Sequence, residues 1–318
     1  MTVLSSRLQT LYRPPGFIDL TAIANASKPL QSNAVGVGFV LLSGLGVVFL
    51  PTTAKFAYLD GSNVLTVAVA RGLVAVTLLG LVVACLRLGF RLPRELLRPS
   101  LVAGIAQAFF VFGILAAITS INISLALLIL YLYPIVLAIH QHRQGVIHLQ
   151  TGQWLSALVA VAGLALILAV RFDQINLSGI LLALMAMLAT VVITITNHRV
   201  TATVGSLVSN FHMSLWSLFI FSLLLLLAGE YAEPQTTFGW IALGGNGLAY
   251  CVAWVSFFAG ARILGATRAS MLTLIEPPAA AFGAWFLFGE TYTVLQWAGF
   301  FVVLAALFAF EKLSYPDV

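Results

Sequence analysis

The sequence predicts an all-α, polytopic membrane protein of ten transmembrane helices, arranged as two inverted five-helix repeats. Three observations lead there: the composition, the spacing and charge of the apolar runs, and an internal self-similarity. Of 318 residues, 61% are hydrophobic and 8% are charged, whereas a soluble chain carries roughly 25% charged residues. That leaves too little polar surface to solvate a globule of this size. Two cysteines and 26 glycines without a triplet period exclude a disulfide scaffold and a collagen-like chain. The alternation expected of transmembrane barrel strands is missing, so the spans are helices.

A spanning helix needs about 20 apolar residues, because each residue rises ~1.5 Å across ~30 Å of hydrocarbon. Such runs fall at 34–57, 64–86, 99–119, 121–141, 152–170, 177–197, 205–228, 239–260, 268–288 and 294–310. The short connections leave no room for an inserted soluble domain. With the N-terminus inside, the cytoplasmic segments hold Arg7, Arg13, Lys28, Arg87, Arg91, Arg94, Arg98, Arg143, Arg199, Arg262, Arg268 and Lys312. Lys55 and Arg171 fall outside and Arg71 lies within a span, while the outer loops collect Asp60, Asp173, Glu230, Glu233 and Glu290. This bias sets orientation. The formal charge of +5 is therefore a topology device, and nucleic-acid binding is set aside.

Residues 1–33 read as a cytoplasmic tail, since a cleavable signal would place a short apolar core directly after a basic start. Residues 312–318 form a second cytoplasmic tail. Short loops without a targeting signal point to a bacterial inner membrane.

Shifting the chain by 143 residues lays Pro134 on Pro277 and Gln153-Trp154 on Gln296-Trp297. Without a gap the same shift pairs Val159 with Val302, Ala162 with Ala305 and Leu164 with Leu307. Spans four and five thus repeat as spans nine and ten, and the units become 34–170 and 177–311. An odd number of helices per unit inverts the second relative to the first. Inverted repeats are the architecture of secondary transporters, with the solute site near the midplane between them.

The stretch 265–311, GATRASMLTLIEPPAAAFGAWFLFGETYTVLQWAGFFVVLAALFAFE, resembles the C-terminal unit of the drug/metabolite transporter superfamily, EamA-like branch. The shared marks are Glu276-Pro277 within an apolar helix, Gly289-Glu290 at its end, and Gln296 with Gly299 opening the last helix. Lys55, Arg71 and Tyr133-Pro134 are similar in the first unit. One departure is plain: Ile147 stands where the shift would require a partner for Glu290, within the polar stretch HQHRQGVIH (140–148). The resemblance implies ten helices, both termini in the cytoplasm, and transport or export of small metabolites such as amino acids.

Glu276 is the sharpest candidate for the pathway. A carboxylate at mid-span costs about 2.5–3.5 kcal/mol to insert, so it faces a cavity or a partner. A carboxyl so placed is also a candidate to bind a proton, the expected coupling ion. Pro277 and Pro278 remove amide donors and free carbonyls in the preceding turn. The alternative is a packing role, with Glu276 satisfied by a neighbour. The shift sets Tyr133 opposite Glu276, with Tyr131 and Pro134 beside it, giving a site acidic on one side and aromatic on the other, suited to an amine-bearing or aromatic solute. Arg71 lies about 10 Å below the outer end of span two; it snorkels to the interface, pairs with Glu276, or binds a solute carboxylate.

In span eight, GGNGLAYCVAW (244–254) places Asn246, Tyr250 and Trp254 along a segment that is either an unwound turn or a close-packing surface. Asn210, His212 and Ser214 in span seven occupy both faces of a helix, so not all three line a pore. Gln107 in span three lines the cavity or bonds a neighbouring helix. Lys55 reads as an interfacial anchor, and Gly36, Gly38, Gly44 and Gly46 as packing surfaces. Cys85 and Cys251 read as inert core residues. His140, His142 and His148 lack a nearby carboxylate or thiol and read as a solvated loop; no metal and no cofactor is expected.

No metalloprotease, redox or nucleophile-elbow motif appears, so an enzyme is not expected, and no phosphate-binding loop supplies ATP hydrolysis. The expected partners are the lipid bilayer, a small-molecule solute and a second copy in a homodimer. The rival reading is a lipid scramblase, a flippase or a passive facilitator, which needs the same polar groove.

Overall fold

The computed structural model describes residues 29–117, 120–169, 176–288 and 291–314. Most of the N-terminal tail, Arg171, Asp173, Gly289-Glu290 and residues 315–318 lie outside the described residues. The described residues form helices and turns only. The helices are α1 (Pro29–Leu59), α2 (Val64–Cys85), α3 (Arg94–Ala117), α4 (Ile123–Leu130), α5 (Tyr133–Arg143) and α6 (Thr151–Ile167). They continue as α7 (Leu177–Val204), α8 (Ser206–Ala228), α9 (Thr237–Leu264), α10 (Ala266–Leu272), α11 (Glu276–Phe288) and α12 (Val294–Ser314).

Taking α4 and α5 together as one crossing, eight segments among the described residues are long and apolar enough to span a membrane. Apolar α6 has 17 residues, and α10, a 3₁₀ turn at Thr273–Ile275, and α11 follow one another without a gap. The outer surface is apolar, with Leu45, Leu155, Leu181, Phe219 and Phe308 all more than half exposed. The interior holds fully buried Gln107, Thr194, Asn197 and Asn210. This distribution suits lipid rather than water as the surrounding solvent.

Several helices outrun the apolar stretches that announce them. α7 continues to Val204 and α9 to Leu264, because backbone hydrogen bonding does not stop where hydrocarbon does. Each then turns into its successor through a single glycine, Gly205 (φ 84) or Gly265 (φ 86), a conformation side chains with a Cβ rarely adopt. Asn63, Asn176 and Thr236 cap α2, α7 and α9 through their side chains.

The fourth span is not one helix. It breaks at Tyr131-Leu132, because Pro134 has no N–H to offer the Leu130 carbonyl and its ring crowds that turn. The ninth span breaks at Thr273–Ile275, ahead of Pro277 and Pro278, for the same reason. The shift of 143 residues lays one break on the other.

The main packing partners are α1 with α9, α3 with α7, α2 with α8, and α6 with α12. These pairs persist when the first five spans are exchanged with the last five. The close approaches agree: a Cβ on Gly36 would fall 2.7 Å from Leu264 and one on Gly179 the same distance from Ile121. Likewise Gly104 abuts Trp216 at 2.2 Å and Gly247 abuts Val74 at 2.4 Å. In each couplet the two glycines lie 143 positions apart. Close approach through small residues lets helix backbones pack where lipid supplies no hydrophobic drive.

Candidate functional site

The two breaks bring their flanking polar side chains together. The Tyr131 hydroxyl donates to Glu276 Oε2 at 3.1 Å, and the Tyr133 hydroxyl shares a hydrogen bond with Thr273 Oγ1 at 2.8 Å. Glu276 is 6% exposed. Among the described residues no basic side chain pairs with it; the ion pair found there joins Arg268 to Glu311. Gly44 of α1 leaves room for the acid, since a Cβ there would stand 3.3 Å from Glu276 Cγ. The corresponding place beside Tyr133 is filled by Met187, which packs in the same apolar cluster. A carboxylate with one hydroxyl donor and no counter-charge retains acceptor capacity for a proton or a solute ammonium.

A second group sits between α2, α8 and α9. The Arg71 guanidinium lies over the Tyr250 ring, 5.1 Å from its centroid. It forms no ion pair among the described residues, so the pairing with Glu276 considered from the sequence does not occur here. Ser214 donates to the Tyr250 oxygen at 3.3 Å. Trp254 stacks on Phe258 at 5.8 Å and meets Phe110 edge-on at 6.0 Å, which makes an aromatic wall beside Tyr250. Gln107 is fully buried, and neither amide atom has a partner.

Other sequence candidates take structural places. α9 runs unbroken through 244–247, so the unwound turn is corrected to a packing surface. Asn246 Nδ2 donates to the Leu50 carbonyl at 2.8 Å and to Thr53 Oγ1 at 3.0 Å, tying α9 to α1. Asn210 and Ser214 are buried, while half-buried His212 bonds the Val208 carbonyl at 3.0 Å. Cys251 is buried, but Cys85, at the end of α2, is exposed; it is not a core residue. The His142 ring meets His148 and Trp154 edge-on.

Some features left no mark in the sequence. Thr273 acquires its role only because the break turns it toward Tyr133. A cavity of about 520 Å³ lies at the end of the bundle that carries the α5–α6 loop, lined in part by Gln141, His148, Gln153, His198 and Arg268. Arg268 also donates to Asn33 Oδ1 at 3.2 Å, so α1, α10 and α12 are fastened at this end. Arg268 precedes Glu276 by eight residues, about 12 Å of helix, so the cavity wall leads toward the acidic pocket.

An apolar exterior, two proline-broken spans and buried polar groups at the breaks define a polytopic membrane protein with a polar interior. The sequence model of the EamA-like transporter family matches residues 177–310. This half of the chain belongs to that family, part of the drug/metabolite transporter superfamily, and the family implies a membrane transporter of that type rather than an enzyme. No curated protein matches the chain. A solved structure described as "Crystal structure of protein" superposes with a TM-score of 0.72 over 89% of this chain and 98% of that one, at 16% identity. At that identity the likeness concerns the fold alone.

Proposed function

We propose that the chain is a ten-helix secondary carrier of two inverted repeats that moves a small, amine-bearing organic metabolite, such as an amino acid, out of the cell. It works by alternating access without ATP hydrolysis, in a bacterial inner membrane, with both termini in the cytoplasm. The observation that carries this reading is Glu276: buried, held by the Tyr131 hydroxyl and free of any basic partner among the described residues.

The chemistry follows from that environment. The carboxylate takes either a proton or the solute ammonium, since both neutralise the same charge. Competition between the two couples solute movement to a proton gradient. The breaks at 131–132 and 273–275 act as hinges, because their turns lack a full set of helical hydrogen bonds. The exchange symmetry of the packing pairs supports two rocking units around these hinges.

The test is uptake into proteoliposomes of labelled amino acids, amines and nucleosides, with and without a pH gradient. Saturable uptake of an amine-bearing class that responds to the gradient, and is lost in Glu276→Gln, is the expected result. Unchanged flux in Glu276→Gln overturns the assignment. Movement of labelled lipid without solute flux favours the scramblase instead.

A further inference from the structure

We propose that Arg71, Gln107, Ser214 and Tyr250 form a second subsite of the carrier, which holds a carboxylate of the solute; this rests on the carrier reading above. Its basis is an unsatisfied set of polar groups at one place in the fold. Arg71 carries five N–H donors, and among the described residues its guanidinium meets the Tyr250 ring and no acceptor. Gln107, in the same helical layer, is fully buried with both amide atoms unpartnered. The Tyr58 hydroxyl, close enough to Arg71 to interact with it electrostatically, is buried without a partner as well. Buried polar groups are nearly always hydrogen-bonded, and the exceptions call for an explanation. An absent ligand explains all three at once.

The register places this set on the axis relating the two repeats. The shift of 143 residues lays Arg71 on Ser214 and Gln107 on Tyr250, so the four residues map onto themselves. The helices that bear them pack accordingly: α2 on α8, α9 on α2, and α3 on α8. A self-mapping set belongs to the interface between the units, where the solute site of an inverted-repeat carrier lies. Glu276 maps instead onto Tyr133, a different residue at a different place, so it marks a separate pole.

The donor set selects the ligand. One unbalanced cation neutralises one negative charge, and a planar guanidinium with amide and hydroxyl donors matches the planar oxygens of a carboxylate. A phosphate dianion would leave a net charge within the membrane, where charge is costly. The solute therefore carries an amine for Glu276 and a carboxylate for Arg71.

The experiment measures the melting midpoint of the full-length protein in lipid nanodiscs against a panel of amino acids, their carboxamides and their aminophosphonate analogues. The expected result is stabilisation by at least one amino acid and at least tenfold weaker affinity for its carboxamide and phosphonate. Arg71→Gln removes that discrimination, and Arg71→Lys restores it in part. Gln107→Leu separates binding from folding. Replacing an unpartnered buried amide with an apolar side chain leaves the ligand-free midpoint unchanged or raised, while affinity for the amino acid falls. Equal binding of acid and carboxamide, or no response to any amino acid, overturns the subsite. Saturable flux of amines with no preference for a carboxylate sinks the subsite and leaves the carrier standing. Carboxylate binding to a protein that moves no solute sinks the carrier.

Discussion

Residues 123–143 and 266–288 are built alike and equipped differently. Each is interrupted near its middle, at 131–132 in one and 273–275 in the other, and each resumes at a proline. At the first break Tyr133 packs with Met187 and bonds Thr273. At the second, Glu276 has Gly44 beside it and accepts from Tyr131. The backbone device is shared, but the charge is not. A hinge needs only missing amide donors, which proline supplies anywhere, whereas a binding group is needed once. Duplication therefore keeps the break and frees one copy of its side chain to specialise.

The comparison is broken most severely at the charged copy. Glu276→Gln is expected to lower flux in proteoliposomes by more than about tenfold, some 1.4 kcal/mol of binding or more, while Tyr133→Phe, its positional counterpart, stays within about threefold. Equal losses in the two variants would mean that the breaks are chemically equivalent after all. Next in size are the close approaches of the scaffold. Gly104→Leu and Gly247→Leu each drive a side chain into a neighbouring helix and should cost about 1–3 kcal/mol of stability, read as matched falls in melting midpoint. Gly244→Leu, where nothing lies within 4 Å of an added Cβ, serves as the neutral control.

A smaller effect belongs to Tyr131→Phe. It removes the hydroxyl donor to Glu276, worth about 1 kcal/mol, and should weaken solute affinity by a few-fold without abolishing transport. The smallest functional effect is expected for Asn246→Ala. Loss of its bonds to Leu50 and Thr53 lowers the melting midpoint but leaves the solute concentration for half-maximal flux unchanged. A marked change in that concentration would return Asn246 to the pathway.

Much of this was legible before any coordinates. The apolar runs located the membrane-crossing helices, since hydrocarbon demands an uninterrupted apolar surface whatever the packing. Pro134 and Pro277 marked the places where the fourth and ninth spans break. The self-similarity put Tyr133 opposite Glu276. Helix ends were read less well: α3 begins at Arg94 rather than 99, and α7 runs seven residues beyond 197, because hydropathy reports contact with lipid and not backbone hydrogen bonding. The glycines around Asn246 read equally as a loose turn or a packing surface, and only the presence of Val74 against Gly247 decides between them.

By itself, then, the sequence determined the solvent, the number of apolar runs, their breaks and the family likeness of residues 177–310. These are properties of composition and local backbone chemistry, and they hold for any packing of the helices. Tertiary structure alone decided which polar groups find partners. It set the Tyr131 hydroxyl on Glu276, kept Arg71 over Tyr250 instead of on the acid, and left Gln107 buried and unpaired. Those contacts join residues up to 179 positions apart. No local pattern encodes such proximity; it exists only once the helices have met.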